Sequence, residues 1–283
     1  MRTFGIVKIA VVVFLDFIVL NHILGMDAAF ILTAGVALYA WLGEYSALWK
    51  DKAIRLEDLS DDERLKLMRV HQRLTEDAKR VSGVDISGIK LHVIPSDDLN
   101  AYAYGIQNAA VTRSTLHICD DATLCSVLGH EVSHLLNMDA VFHRLIFANV
   151  TLATVGIAIS SFISVSFLWL VFILMCAFGI CGGVLSMLVF HGVNNIVKSA
   201  FTTLQKFVIV AYQLLMGLVS RSCEFRADKY SCQLGYGSQL SYFLNHFVGG
   251  QGQEQRSIHQ ILYASHPDTE KRVMRIKEYA LAE

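Results

Sequence analysis

The strongest constraint on the fold is an apolar run over residues 145–197 that contains no Asp, Glu, Lys or Arg. About 20 helical residues cross a bilayer core, so the run has room for two spans, and serines make residues 160–166 the expected turn. A further apolar stretch, residues 207–219, leads into Glu224. Two arrangements are open. In the first, both spans precede residue 190, and residues 207–219 lie at the membrane surface or in a soluble core. In the second, one long helix pairs with a span near residues 201–221. We expect one transmembrane hairpin within residues 145–200.

The chain begins with a second pair of apolar runs, separated only by a short link at Gly25. They predict a transmembrane hairpin over residues 1–49, giving about four spans in total. Basic residues lie at both ends of this hairpin, Arg2 and Lys8 before it and three more after it, and the link has none. By the positive-inside rule, both termini and the soluble parts are expected on the cytoplasmic side of the membrane.

Composition excludes several classes of protein. The chain is 54% apolar and 17% charged, against about 25% charged in an average soluble protein. The net charge of −1 does not favour binding to nucleic acid. Six cysteines without a C-x-x-C spacing predict neither a zinc–thiolate site nor a disulfide framework, and they suit a reducing compartment.

A metal-binding pattern, H-E-x-x-H, lies within an apolar stretch of helical period at residues 130–134. His130 and His134 are four residues apart, so they project from one face of a helix and can bind one zinc ion. Glu131 lies on an adjacent face, where it can act as a general base on water. The pattern has only three fixed letters, so an ordinary helix that contains it by chance is the competing interpretation.

A catalytic zinc needs a third protein ligand, and Glu224 is the candidate. Asp228 follows it by four residues and therefore lies on the same helix face. Asp228 could accept the second N–H of a zinc-bound histidine and fix its tautomer. The ligands flank the long apolar run, so an even number of spans must separate them.

Two soluble sections, residues 50–144 and 201–283, are expected to form the catalytic domain. Ser60 and Glu63 predict a capping box that opens a helix, and Gly83 predicts its end. Residues 90–95 and 109–119 favour strands, the second segment forming one or two. Asp120 or Asp121 caps the helix that carries the histidines. The fold class is therefore α+β and mostly helical, with a small sheet. Helices are expected over residues 229–247, with a break at Gly235, over residues 257–264, and over residues 269–282.

Four motifs in this order resemble those of the HtpX-type membrane-bound zinc metalloproteases, which are gluzincins distantly related to the CAAX prenyl endopeptidases. They are Asn100-Ala101-Tyr102-Ala103-Tyr104-Gly105, His130-Glu131-Val132-Ser133-His134 with Asn137 and Asp139, Ser220-Arg221 through Glu224 and Ala227-Asp228, and Ser265-His266-Pro267 with Arg272. The chain departs from the family at Cys223, where Arg is common, at Tyr104, where a small hydroxyl residue is usual, and at Asp268, where a second Pro is common.

The resemblance implies a zincin-like catalytic domain that holds one Zn²⁺ per chain. It implies that a strand at Asn100, Ala101, Tyr102 and Ala103 borders the cleft, where an extended substrate could pair with its edge. It also places His266 near the cleft, where it could donate a hydrogen bond to the oxyanion, and Arg272 could brace it. A plain turn and strand, and a solvated surface turn, are the respective alternatives.

The implied function is that of an integral membrane zinc endopeptidase with a role in quality control and stress. Its substrates would be misfolded membrane proteins cut at cytoplasmic segments, including copies of itself. The protein would lie in the lipid bilayer of a bacterial-type inner membrane. The alternatives are a dedicated processing protease of the CAAX type and a membrane scaffold whose zinc site is vestigial. The intact Glu131 argues against a scaffold, because a structural zinc site needs no base.

Overall fold

The computed structural model describes residues 2–180, 183–248 and 269–281. The chain divides into two compact units, one formed by Met1–Leu145 with Met216–Glu283 and the other by Ile146–Leu215. It is mostly helical with one small mixed sheet. Among the described residues, four helices are long and apolar enough to cross a membrane. The predicted fold class is therefore confirmed.

Helices α1 (Arg2–Leu24) and α2 (Met26–Lys50) form the N-terminal hairpin. They are separated by Gly25, whose φ of 84° is open to glycine at little cost. Most of the large apolar side chains of both helices are exposed, as expected for surfaces that face lipid. The side chains that turn inward pack against Met138, Val141 and Leu145, which follow the histidine helix in the chain.

Helix α3 (Asp61–Ser82) begins and ends where its capping signals predict. The Ser60 side chain accepts from the Glu63 backbone N–H, and Gly83 adopts the left-handed conformation at the C-terminus. Its buried positions, Leu67, Val70 and Leu74, recur at helical spacing and face the core. Burial of each such side chain contributes roughly 1.5–3 kcal/mol.

The sheet has four strands in the order β1, β2, β4, β3, namely β1 (Ile54–Arg55), β2 (Lys90–Ile94), β3 (Ala101–Tyr104) and β4 (Asn108–Thr112). β2 and β4 are parallel, whereas the two outer strands are antiparallel to their neighbours. One face contributes Val93 and Val111 to the main core, against α3 and the histidine helix. The other face packs Tyr104 and Ile94 against the end of α2. The sheet is thus covered on both sides.

Part of the region expected as strand is helical instead. Residues 109–119 were predicted to form one or two strands, but the chain leaves β4 at Thr112 and forms the short helix α4 (Arg113–Ile118). The Thr112 side chain caps this helix by accepting from the Thr115 backbone N–H, which ends the strand. Helix α5 (Asp121–Leu136) follows, with Asp120 as its N-cap and twelve buried residues.

The chain from residue 139 to residue 233 forms two long helices, α6 (Asp139–Ala177) and α7 (Val184–Gln233). The turn expected at residues 160–166 is wrong, because these residues lie inside α6 and the chain turns after residue 177. Residues 207–219 lie within α7 and lead without a break to Glu224. In the unit Ile146–Leu215, Trp169, Phe172 and Phe190 form an aromatic cluster between the two helices.

The C-terminal part contains α8 (Gly237–Phe243), a π-helical turn (Leu244–Val248) and α9 (Thr269–Leu281). Gly235, with a φ of 88°, lies in the break after α7, as expected from the sequence. α8 and α9 pack through a cluster that includes Leu240 and Ile276. The helix expected over residues 257–264 and the motif containing His266 lie outside the described residues.

Candidate active site

Helix α5 presents the two histidines of the H-E-x-x-H pattern on one face. The Nε2 atoms of His130 and His134 are 3.2 Å apart. His130 is buried, while Glu131 and His134 keep partial exposure. The N-terminus of this helix is fixed by the Asp120 carboxylate, which accepts from the Thr123 backbone N–H at 2.8 Å. The spacing of the pattern and the cap together determine where the two imidazoles point.

Glu224, on α7, meets the two histidines although 90 residues separate it from His134 in the sequence. Its carboxylate oxygens lie 3.4 Å from His130 Nε2 and 3.7 Å from His134 Nε2. The ligand atoms of these three residues all lie within 4.8 Å of one another. The sequence grouped the same three residues from pattern alone, and their role as metal ligands stays a prediction.

The donor set fits a zinc ion. Ligand atoms about 2.0–2.1 Å from a tetrahedral zinc are roughly 3.3–3.4 Å apart, close to the separations of 3.2 and 3.4 Å that involve His130 Nε2. Two imidazoles and one carboxylate, with a fourth position left for water or substrate, are typical of catalytic zinc.

Each histidine has a carboxylate behind its second ring nitrogen. Asp228 Oδ1 lies 3.0 Å from His130 Nδ1, as expected from the sequence. Asp139 Oδ2 lies 2.9 Å from His134 Nδ1, a contact that the sequence did not predict. Such carboxylates fix the tautomer, so that Nε2 is left with a free lone pair. Asp139 had been noted only as part of a motif, and its place just beyond the helix was the available signal.

Arg272, on α9, contacts the two carboxylates of α7 that lie beside the histidines. Its guanidinium donates to both oxygens of Asp228, at 2.8 and 2.6 Å, and lies 3.1 Å from Glu224 Oε2. The expected bracing of His266 involves a residue outside the described part of the chain. Arg272 therefore holds the two carboxylates of α7 in place.

The surroundings of His130 favour a positive charge. Burial lowers the pKa of His130, but the hydrogen bonds to Asp228 and Glu224 outweigh burial and raise the pKa to about 10. A divalent cation could satisfy the same carboxylates in place of the proton, since metal binding to histidine releases a proton.

The predicted substrate segment forms β3 at the end of the sheet. Ala101, Tyr102 and Ala103 lie in this strand, and Asn100 precedes it with its side-chain amide 3.1 Å from the Tyr102 hydroxyl. The outer edge of β3 pairs with no strand in the described ranges. β3 packs against α5, the helix that carries the H-E-x-x-H pattern. Burial and a hydrogen bond to Asp51 raise the pKa of Tyr104.

Comparison with known proteins decides the family. The sequence profile of peptidase family M48 matches residues 64–280, most of the chain. The chain belongs to peptidase family M48. A protease HtpX homolog of Salinibacter ruber is 25% identical over 99% of both chains. A second HtpX homolog, from Nostoc punctiforme, is 30% identical over 39% of each.

Among solved structures, the crystal structure of S. mikatae Ste24p shares the fold, with a TM-score of 0.50 and 17% sequence identity. The alignment covers 95% of this chain but 62% of that one. The resemblance to HtpX-type M48 metalloproteases is therefore confirmed. The four apolar helices and these relatives together indicate a multi-pass membrane protein.

Proposed function

We propose that this M48 protein is an integral membrane zinc endopeptidase that cleaves misfolded membrane proteins on the cytoplasmic side of the inner membrane. The observation that carries the proposal is the meeting of His130, His134 and Glu224 within 4.8 Å, next to Glu131 on the same helix. These three residues would hold one zinc ion per chain. A zinc ion bound there supplies Lewis-acid polarisation of the scissile carbonyl and acidifies the attacking water.

The chain's own residues perform the remaining chemistry. Glu131 takes the proton of the attacking water and passes it to the leaving amine. Asp228 and Asp139 keep the two imidazoles in the tautomer that binds metal, and Arg272 holds Asp228. His266 donates a hydrogen bond to the oxyanion, a contribution of about 2.7–4 kcal/mol.

An extended substrate segment adds to the outer edge of β3, along Asn100, Ala101, Tyr102 and Ala103. Main-chain hydrogen bonds to this edge give affinity with little demand on side chains. Low selectivity suits a protease that removes unfolded segments of many membrane proteins, including copies of itself, in response to stress.

The catalytic domain is assembled from residues 50–144 and 201–283, and the hairpins at residues 1–49 and 145–200 anchor it. Basic residues on both sides of the first hairpin favour a cytoplasmic location for the catalytic domain and both termini.

Zinc content and proteolysis, measured together on detergent-purified protein, test the function. Wild type and Glu131→Gln should each bind about one zinc per chain, and only wild type should cleave casein, an unfolded substrate. Glu224→Ala should lose both zinc and activity. Zinc binding without cleavage by wild type would favour a selective processing protease or a scaffold. Absence of zinc from reconstituted wild type would refute the metal site.

A further inference from the structure

Lys8, in the second turn of α1, forms an ion pair inside the protein. Its Nζ lies 2.7 Å from Asp139 Oδ1 and 4.9 Å from the centre of the Phe142 ring. The side chains of Lys8 and Asp139 are 16% and 4% exposed. A lysine near the end of a span normally extends its ammonium group to the membrane surface. Lys8 instead turns toward the residues that follow helix α5.

The Asp139 carboxylate joins three parts of the chain. It accepts from Lys8 through Oδ1, from Arg226 through both oxygens at 2.8 and 2.7 Å, and it lies 2.9 Å from His134 Nδ1 through Oδ2. Arg226 lies two residues after Glu224 on α7. The carboxylate that orients one histidine is thus held from α1 and from α7 at once.

The backbone of α1 also lies against the end of α5. A Cβ atom added at Gly5 would lie 2.7 Å from the Asn137 carbonyl oxygen, so the backbones of the two segments approach more closely here than any residue larger than glycine would permit. Asn137 is the C-cap of α5. Lys8 follows Gly5 by three residues and therefore lies on the same face of α1. Two contacts, one polar and one steric, place this face beside the residues next to His134.

We propose that Lys8 is a positioning residue for the zinc site, which holds the Asp139 carboxylate against His134 from the first membrane helix. The inference rests on the proposed function, because it takes His134 as a zinc ligand. Lys8 and Arg226 approach Asp139 from different helices, and loss of Lys8 leaves the carboxylate free to rotate toward Arg226 alone. The first span is then a part of the metal site and more than an anchor.

The test measures zinc affinity by competition with a chelator, on the full chain in lipid nanodiscs with Glu131→Gln to prevent self-cleavage. Removal of a carboxylate that orients a metal-bound histidine typically lowers affinity 10–100-fold. Asp139→Asn should fall in that range, and Lys8→Met, one contact further from the metal, should lower affinity about 3–10-fold. Lys8→Arg, which can still donate to Asp139, should have a zinc affinity within about twofold of that of the parent protein, which carries only Glu131→Gln.

Two controls separate positioning from general destabilisation. Val12→Ala removes packing of α1 against the cluster around Met138 without touching Asp139, so it should lower thermal stability and leave zinc affinity unchanged. In the Asp139→Asn background, Lys8→Met should have no further effect on affinity. Lys8→Leu, which also cannot donate to Asp139, replaces Lys8→Met, with the same expected loss, if the methionine variant is not recovered.

Three results would overturn the role of Lys8. They are unchanged affinity in Lys8→Met, an equal loss in Val12→Ala, and an undiminished effect of Lys8→Met in the Asp139→Asn background. If the parent binds zinc and His134→Ala abolishes that binding, these results refute the inference alone. If the parent binds no zinc, the proposed function and the inference both fail.

Discussion

Gly105→Ala tests how closely the N-terminal hairpin supports the edge strand. Gly105 follows β3 with a φ of +65°, and a Cβ atom added there would lie 1.6 Å from Glu44 Oε2. Glu44 belongs to α2, is 2% exposed and accepts a hydrogen bond from the Ile106 backbone N–H at 3.3 Å. A side chain at residue 105 therefore has to displace a buried carboxylate from its partner.

The expected cost has two parts. A non-glycine residue in the left-handed region costs about 1–2 kcal/mol. Loss of a hydrogen bond to a buried charged group costs about 1.5–3 kcal/mol more. The free energy of unfolding should therefore fall by about 2.5–5 kcal/mol, which lowers the melting temperature by roughly 5–20 °C for a chain of this size. Displacement of β3 should also raise KM for an extended substrate that pairs with the outer edge of this strand.

Gly83→Ala is the matched control, because Gly83 has the same φ of +65° and nothing lies within 4 Å of its added Cβ. Gly83→Ala should show only the conformational cost, so its free energy of unfolding should fall by about 1–2 kcal/mol and its melting temperature by roughly 2–8 °C. The assay is thermal unfolding of the detergent-purified variants at one scan rate. Equal losses in the two variants would refute the close approach of Glu44. In a Glu44→Ala background, Gly105→Ala should lower the melting temperature no more than Gly83→Ala does.

Two further results are expected. Gly129→Ala should raise the melting temperature by about 1–4 °C, because alanine is favoured over glycine by about 0.5–1 kcal/mol in a helix interior. The added Cβ would lie 3.4 Å from the side chain of Leu234, which is an ordinary contact, and a fall in melting temperature would contradict that spacing. Burial raises the pKa of Glu63, but hydrogen bonds from His117 and Ser60 and the charge of Arg113 outweigh it and lower the pKa below 4.5. The resulting stability is present above pH 4.5 and is lost as the pH falls through the lowered value. Glu63→Gln should therefore have a lower melting temperature than wild type at pH 7, equivalent to about 1 kcal/mol because its partners are partly exposed. The difference in melting temperature should narrow as the pH is lowered, and a difference that stays constant would contradict the role of the Glu63 charge.

The parts of the fold that depend on local signals could be predicted. The capping box at Ser60 and the glycine at residue 83 act within one helical turn, and the structure places the ends of α3 there. The turn between α6 and α7 was missed because serines were taken to break the helix. In an apolar helix a serine hydroxyl can bond to the carbonyl four residues back, so it does not end the helix. Gly179, with a φ of 69°, lies where the chain turns.

The candidate site was predictable as far as helical periodicity reaches. His130, His134, Glu224 and Asp228 lie at four-residue spacings, so each pair shares a face. Asp139 was missed because the chain leaves helical geometry in a turn at Met138, which adopts a φ of +55° without being glycine. Such a turn has no signature in the sequence.

The role of Lys8 could not be found from the sequence for a different reason. A lysine at the start of an apolar run indicates topology, and its partner, Asp139, lies 131 residues away. Only tertiary packing brings the two together. The sequence therefore grouped the proposed metal ligands but did not reveal all of the residues that contact them.

The division of the ligand set between two distant segments also has a consequence for biosynthesis. His130 and His134 leave the ribosome long before Glu224, with all of residues 146–215 between them. At about 5–20 residues per second, the 90 residues after His134 take roughly 5–20 s to synthesise. During that interval the nascent chain has two of the three proposed ligands. A metalloprotease built in this order has the full set of proposed ligands only after the second hairpin has been made, so the proposed site is incomplete while that hairpin is being synthesised.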